Sequence, residues 1–350
     1  MLKSFRYLLF PISLVYGGAI MFRNFLFDKN IKKSASFNFP IICVGNLATG
    51  GTGKTPMTEY LIELLQQPFA VATLSRGYKR KTKGFAIANE RTTALEIGDE
   101  PMQFHEKYPN VTIAVGEERI EAIPQLLDER PNTQIIILDD GFQHRTVRAG
   151  LNILLTDYKN LFSRDLMLPA GDLRDVKASR KRADIIIVTK CKSDLSVEEK
   201  MSIEKELKLF PHQKIFFTEI LYAKPYHLFT LEKNSFGLNT DLLLVCGIAN
   251  PKPLKAFVSK YVRGYDMLKY ADHHIFTSTD LSDIKKHFAK IPSDNKMILT
   301  TEKDGVRLKK FEKELSDLPI YVLPIKQQFL FNEADAFNEI VLRFIEKFKK

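Results

Sequence analysis

The chain has 350 residues, 45% of them hydrophobic and 27% charged, with only three cysteines, an ordinary globular composition that excludes fibrous, low-complexity and disulfide-scaffold classes. Lys and Arg outnumber Asp and Glu by 52 to 42, which admits nucleic acid, anionic lipid or a phosphorylated ligand without choosing among them. The length suits two domains, and Cys43, Cys191 and Cys246 are too dispersed for a zinc site, so a reducing, cytoplasmic setting is expected.

The first element is a basic arm. Six basic residues and one acidic residue fall between Met1 and Pro40, so half of the +10 net charge sits there. An uncharged run of sixteen residues, Tyr7 to Phe22, is flanked by Lys3 and Arg6 before it and Arg23 after it. That is short for a hydrocarbon core of about 30 Å, and Pro11 with the Gly17-Gly18 pair weakens a spanning helix. No A-x-A-like cleavage site follows, which argues against a signal peptide. The flanking charges with Phe5, Tyr7, Phe10, Tyr16, Phe22, Phe25 and Phe27 predict a helix lying in a membrane interface. Lys29, Lys32 and Lys33 would each add about 1 kcal/mol near an anionic leaflet. A buried core helix is the alternative.

Next comes PIICVGNLATGGTGKTP, an apolar strand running into a glycine-rich turn, with TPMTEYLIELL behind it as a helix. Counting back from Gly53, Ala48 stands where the phosphate-loop pattern has its first glycine. The context is nevertheless right, because backbone N–H groups of such a turn and of the helix start point at phosphate oxygens. Residues Ala48, Thr49, Gly50, Gly51, Thr52, Gly53, Lys54 and Thr55 form the expected nucleotide loop, with Lys54 reaching the β- and γ-phosphates and Thr55 binding Mg²⁺. A chance glycine turn accounts for the glycines but not for the GKT that ends them. A second element, IIILDDGFQH, ends a strand on Asp139 and Asp140, either of which suits the magnesium. Guanine-specific sites end a later strand with [NT]KxD; here the strand ends TKCK, with Lys192 in place of the acid, so ATP is the expected nucleotide.

Apolar runs ending at Gly45, Ser75, Val115, Leu138, Thr156 and Thr189 alternate with helix-length segments, the pattern of a parallel sheet covered on both faces. The fold class is therefore α/β. The rhythm pauses around Tyr222 to Asn239 and resumes with LLLVCGI, MILTT and IYVLP. We expect an arm over 1–33, a P-loop core over 34–225 and a smaller C-terminal α/β domain over 226–350. Ile340, Val341, Phe344, Ile345 and Phe348 recur at helical spacing and predict a closing helix.

Further short motifs follow one another along the chain: SRGY at Ser75 to Tyr78, GDEP at Gly98 to Pro101, LDDGFQH at Leu138 to His144, PAGDLRD at Pro169 to Asp175, GIANP at Gly247 to Pro251, ADHH at Ala271 to His274 and TEKD at Thr301 to Asp304. With the glycine loop, this ordered set resembles the tetraacyldisaccharide 4'-kinase family over nearly the whole chain. In that family the first loop position is not glycine. The resemblance implies ATP- and Mg²⁺-dependent phosphorylation of the 4'-hydroxyl of a tetraacylated glucosamine disaccharide 1-phosphate. It also implies a two-domain P-loop fold with a membrane-associated N-terminal helix, placing the protein peripherally on the cytoplasmic face of the inner membrane with no obligate protein partner.

By the same resemblance Asp99 of GDEP is the expected base for the sugar hydroxyl, and His273 of ADHH, from the second domain, its partner. Read without it, Asp99 would be a helix cap and His273 a satisfied histidine, with His274 competing. Asn46, Arg119, Gln143, His144 and Arg174 match sugar-phosphate contacts, and Arg suits a phosphate through two charge-assisted hydrogen bonds. Asp175 replaces the family's glutamate near the metal, and Asp172 stands at a variable turn position. Two domains contributing to one dyad would close over the substrate. The basic stretches SRGYKRKTKG and KASRKRAD are read as solvated, substrate-facing or membrane-facing, not as a nucleic-acid site. A nucleotide switch recruited to membranes and a P-loop kinase of a soluble small molecule are the competing functions. The first leaves GDEP and ADHH without a purpose, the second the aromatic basic arm.

Overall fold

The computed structural model describes residues 6–348; Lys3 and Phe5 of the arm lie outside the described residues. The chain forms two compact units. The first comprises Met1–Thr92, Phe104–Leu221 and Lys326–Lys350, and the second Thr93–Gln103 with Tyr222–Ile325.

The first unit is built on a nine-stranded sheet. In spatial order its strands are Ile325–Phe329, Lys214–Tyr222, Ile185–Thr189, Leu151–Asp157, Ile41–Asn46, Ile135–Asp139, Val71–Ser75, Thr112–Val115 and Ala86–Ile87. Pairing from Lys214–Tyr222 through Thr112–Val115 is parallel, and the short edge strand Ala86–Ile87 runs antiparallel. Ile41–Asn46, Val71–Ser75, Ile135–Asp139 and Ile185–Thr189 are buried along their whole length, as β-branched runs covered by helices on both faces must be. The six apolar runs expected here as strands all form strands.

The arm forms a 3₁₀ turn, Tyr7–Leu9, and then one helix, Phe10–Asp28. Pro11 does not weaken it, because it falls in the first turn, where its missing N–H has no helical partner to lose. The helix buries Ser13, Gly17, Asn24 and Phe27. It exposes Ile12, Leu14, Val15, Met21, Phe22 and Phe25, with Val15 75% accessible. Its protein-facing side thus combines small and polar residues with one aromatic, Phe27, while its outward side is apolar, unlike a helix docked on a core by an apolar stripe.

The second unit has a five-stranded sheet in the order Tyr226–His227, Ile320–Leu323, Lys296–Thr301, Asp241–Cys246, Gly264–Lys269. All neighbours pair in parallel except the first two. One face buries Leu243, Val245, Ile284, Ile298 and Val322, the other Leu242, Leu244, Val258 and Leu299. Gly264–Lys269 was not anticipated: GYDMLK lacks an apolar run because it is an edge strand with no fully buried residue.

The units depart from the expected 34–225 and 226–350 division at two places. The closing helix, Ala334–Glu346, belongs to the first unit: Phe337, fully buried, packs edge-on against Phe216 and Tyr60, and the Tyr60 hydroxyl donates to Asn338 Oδ1 at 3.0 Å. Thr93–Gln103 belongs to the second, where Asp99 and Glu100 are held by Arg307 and Lys303.

Candidate active site

The glycine loop joins the strand Ile41–Asn46 to the helix Lys54–Leu65. Gly50 and Gly53 take φ of 93° and 87°, a region costly for any side chain. Gly45 is required for another reason: a Cβ there would stand 2.5 Å from Phe142 Cβ. Ala48, by contrast, forms a bridge to Leu173. The Thr49 N–H donates to Asp172 O at 2.7 Å, and the Arg174 N–H donates to Leu47 O at 2.8 Å, so PAGDLRD is laced to the loop from outside. The end of the next-but-one strand braces it as well. Thr189 Oγ1 donates to Thr52 O at 2.8 Å, and Lys190 Nζ donates to Gly51 O while pairing with Asp157 at 2.9 Å. Lys192, in the position where guanine specificity needs an acid, pairs with Glu199 at 2.9 Å.

Asp139 and Asp140 stand beside this loop because their strand pairs with Ile41–Asn46, Val44 opposite Asp139. Asp139 is buried and accepts from Thr58 Oγ1 at 3.1 Å. Asp140 is half-buried with a left-handed backbone, φ 53°, strain of a kind that persists where surrounding contacts enforce it. Its carboxylate lies 3.8 Å from Lys54 Nζ and is gripped by both terminal nitrogens of Arg174. Burial opposes its charge, but Lys54 and then Arg174 outweigh that and hold Asp140 below the usual carboxylate value.

Thr55, Asp139 and Asp140 carry oxygen donors, the ligand type that magnesium takes alongside phosphate oxygens and water. Among the described residues, no cluster of three or more His, Cys, Asp or Glu could hold an ion alone. Asp175, expected near the metal, has protein partners on both carboxylate oxygens. It is 1% exposed, and its carboxylate receives Asn24 Nδ2 at 2.9 Å, Ser179 Oγ at 2.7 Å and Arg182 Nη2 at 2.9 Å. Its place is under the N-terminal helix. Asp172, the turn residue, pairs with Arg6 at 2.8 Å.

The five residues matched to acceptor contacts divide into two kinds. Asn46 is fully buried; its amide donates to Thr52 Oγ1 at 2.8 Å and accepts from Arg174 at 2.6 Å, so it braces the loop from within. Gln143 donates to Asn46 O at 2.7 Å, but its own Oε1 is buried without a partner. Arg119 is also fully buried. Its Nη1 reaches the carbonyls of Gly116 and Glu117, while Nε and Nη2 have no partner. Burial, against the pull of Asp139 and Asp140, lowers its pKa to about 10, so it stays charged at neutral pH. Burial first, then Arg119 and Arg76, brings His144 down to about 4, so its imidazole is neutral. Lys54, Arg76, Arg119 and Arg174 thus make a strongly positive environment around two carboxylates, suited to polyanions.

The basic stretches are only partly solvated. Arg80 pairs with Glu117 at 2.7 Å with its side chain 2% exposed, and Arg182 lies 4.1 Å over the Phe142 ring while donating to Phe142 O at 2.6 Å.

In the second unit, His273 Nδ1 lies 2.7 Å from Asp99 Oδ2. The expectation that two domains supply this pair is not met: both residues belong to one unit, so the pair forms without any domain movement. His273 has φ 61°, and His274 turns away to Asp280 at 3.0 Å, which decides between the two histidines of ADHH. Burial opposes charge on Asp99, but His273 and Arg307 outweigh it and hold the carboxyl well below the usual range. GIANP closes the site from behind: the Gly247 N–H donates to Asp304 Oδ2 at 3.0 Å, and a Cβ on Gly247 would sit 2.9 Å from Ala271 O.

Arg307, the partner of Asp99, was not singled out from the sequence. The available signal was its spacing, three residues after Asp304 on a helix, where an acid and a base meet.

Residues 5–346 match the family model described as tetraacyldisaccharide-1-P 4'-kinase. The chain is 43% identical to the tetraacyldisaccharide 4'-kinase of Bacteroides thetaiotaomicron, over 97% of this chain and 93% of that one. It is 45% identical to that of Flavobacterium johnsoniae over 98% of both. It superposes on the crystal structure of LpxK from Aquifex aeolicus in complex with ATP with a TM-score of 0.76 at 28% identity, covering 99% of this chain and all of the other. The chain belongs to the tetraacyldisaccharide 4'-kinase family.

Proposed function

We propose that this chain transfers the γ-phosphoryl group of ATP to the 4'-hydroxyl of a tetraacylated disaccharide 1-phosphate, working peripherally at the cytoplasmic face of the inner membrane. The observation that carries the reading is the Asp99–His273 pair at 2.7 Å in a chain that also has a phosphate loop, because a carboxylate held by a histidine suits a base for an alcohol, which a switch that only hydrolyses nucleotide does not need. Family membership supports the substrate class.

In this reading the N–H groups from Gly50 to Thr55 and Lys54 Nζ take the phosphates. Thr55 with Asp139 or Asp140 would hold a magnesium ion, which would neutralise charge on the β- and γ-phosphate oxygens. Arg174 and Arg119 provide positive charge for the acceptor's 1-phosphate. Asp99 accepts the hydroxyl proton and His273 orients its carboxylate. A carboxylate held so far below its usual pKa is a weak base, but in a loose phosphoryl-transfer transition state the alcohol proton becomes acidic only as the P–O bond forms, so position matters more than basicity. Asn46 serves the acceptor indirectly, by fixing Arg174.

The arm completes the picture. Its apolar outward face, with Lys29, Lys32 and Lys33 at its end, suits insertion into an anionic leaflet. The test is an assay of purified protein with labelled ATP and the disaccharide 1-phosphate: label extracted into the lipid phase is expected, and its absence overturns the proposal.

A further inference from the structure

Arg307 lies on the helix Glu302–Leu308, 7% exposed, and meets the Asp99 carboxylate with two nitrogens at once. Nε donates to Oδ1 at 3.0 Å and Nη2 donates to Oδ2. On the far side Nη1 donates to Asp304 Oδ1 at 3.3 Å. Asp304 is itself immobile: fully buried, it accepts from Thr301 Oγ1 at 2.7 Å and from the Gly247 N–H. The guanidinium is therefore clamped between a fixed carboxylate and the one expected to take the proton.

We propose that Arg307 is the positioning residue of the phosphoryl-transfer site, fixing the plane of the Asp99 carboxylate and keeping it ionised. The inference rests on the reading of Asp99 as the base. Two parallel N–H···O bonds define a plane, which a single lysine-like donor cannot do. His273 then adds the third bond: with its proton on Nδ1, the imidazole donates to Oδ2, and the 3.1 Å approach of Nη2 to Nδ1 is two donors converging on that one oxygen. Rotation of the carboxylate is blocked, and the lone pairs not used by Arg307 and His273 remain for the substrate hydroxyl.

The charges around Asp99 come from three segments. Its own carries Glu100, which is tied to Lys303; the helix carries Lys303, Asp304 and Arg307; the ADHH turn carries His273 and Asp272, the latter 3.9 Å from His273 Nε2. Glu100 and Lys303 neutralise each other, and His274 is taken by Asp280. Arg307 is thus the permanent cation in contact with Asp99. Without it burial would act on Asp99 with only the histidine to oppose it, and the pKa would rise.

The test is the pH dependence of kcat/KM, which reports the ionisation of the free enzyme, for full-length wild type, Arg307→Met and Arg307→Lys in the glycolipid phosphorylation assay. Arg307→Met is expected to lose roughly ten- to a hundredfold in kcat, the order of a misplaced catalytic group, with the KM for ATP unchanged and the acidic limb moved to higher pH. Arg307→Lys restores the charge but not the plane, so its acidic limb should stay low while kcat recovers only in part. An acidic limb common to both variants overturns the proposal, as does wild-type kcat in Arg307→Met. If Arg307→Met does not fold, Arg307→Gln takes its place in the same comparison. Wild type and Asp99→Asn run alongside: no labelled lipid from wild type defeats the functional reading itself, whereas active wild type, inactive Asp99→Asn and unaltered Arg307 variants defeat this inference alone.

Discussion

Asn24, on the inward side of the N-terminal helix, donates its side-chain amide to Asp175 Oδ1 at 2.9 Å and lies 3.1 Å from Ser179 Oγ. This polar latch, with Arg182 on the other carboxylate oxygen, docks the helix together with the buried Phe27. It frees the apolar residues of the same helix to face outward.

The latch separates two roles for Asp175. Asp175→Asn keeps the shape and removes the charge that balances Arg182, so it should destabilise the fold by about 1–3 kcal/mol in a denaturant titration. The dependence of activity on magnesium concentration should not change. A raised magnesium requirement without loss of stability would restore Asp175 to the metal site.

Substitutions on the outward side should do the opposite. Val15 and Phe22 are 75% and 63% exposed, so Val15→Glu with Phe22→Glu should shift folding stability by no more than about 0.5 kcal/mol each. Binding to vesicles containing anionic lipid should fall sharply in a flotation assay, and wild-type binding should weaken with salt. Full binding by the double variant would rule out the helix as the anchor.

The sequence was most informative where chemistry and periodicity coincide. The buried strands of the first unit are apolar runs rich in β-branched residues, and the loop between Val44 and Pro56 announces itself through glycines that the backbone needs at Gly50 and Gly53. Partnership at long range was less visible. Nothing local tells that the Asp175 carboxylate meets Asn24, 151 residues earlier. Thr93–Gln103 likewise reads as part of the first domain, and only the ion pairs of Asp99 and Glu100 with a distant helix assign it to the second. The partners of Asn46 were hidden for a related reason: its type suits a sugar, but a fully buried amide must find partners inside the protein, and Thr52 and Arg174 supply them.

His144 gives the protein an acid-sensitive term of predictable sign. Its pKa falls from about 6.5 when unfolded to about 4 when folded, so between those values the unfolded chain binds the extra proton, and stability drops as pH falls through that window. In His144→Gln this contribution is absent. The stability advantage of wild type over the variant, measured by denaturant titration from neutral pH downward, should shrink as the pH approaches 4; a constant difference would show that the histidine is not held neutral.

The brace behind the phosphate loop yields the last prediction. Thr189 Oγ1 donates to Thr52 O at 2.8 Å and lies 3.2 Å from Thr156 O, and its side chain is also what a Cβ on Gly53 would meet, at 3.5 Å. Thr189→Val preserves shape but leaves a loop carbonyl without its donor, a loss of about 1–3 kcal/mol for a buried group. Because the loop must hold its N–H groups on the phosphates, that loss should be divided between folding and nucleotide binding, with the KM for ATP rising about tenfold for each 1.4 kcal/mol expressed there. The pH profile that Asp99 would set as the proposed base should stay where it is, since the hydrogen-bond partners of Thr189 are the carbonyls of Thr52 and Thr156. A shifted profile with unaltered ATP affinity would contradict the assignment of Thr189 to the loop.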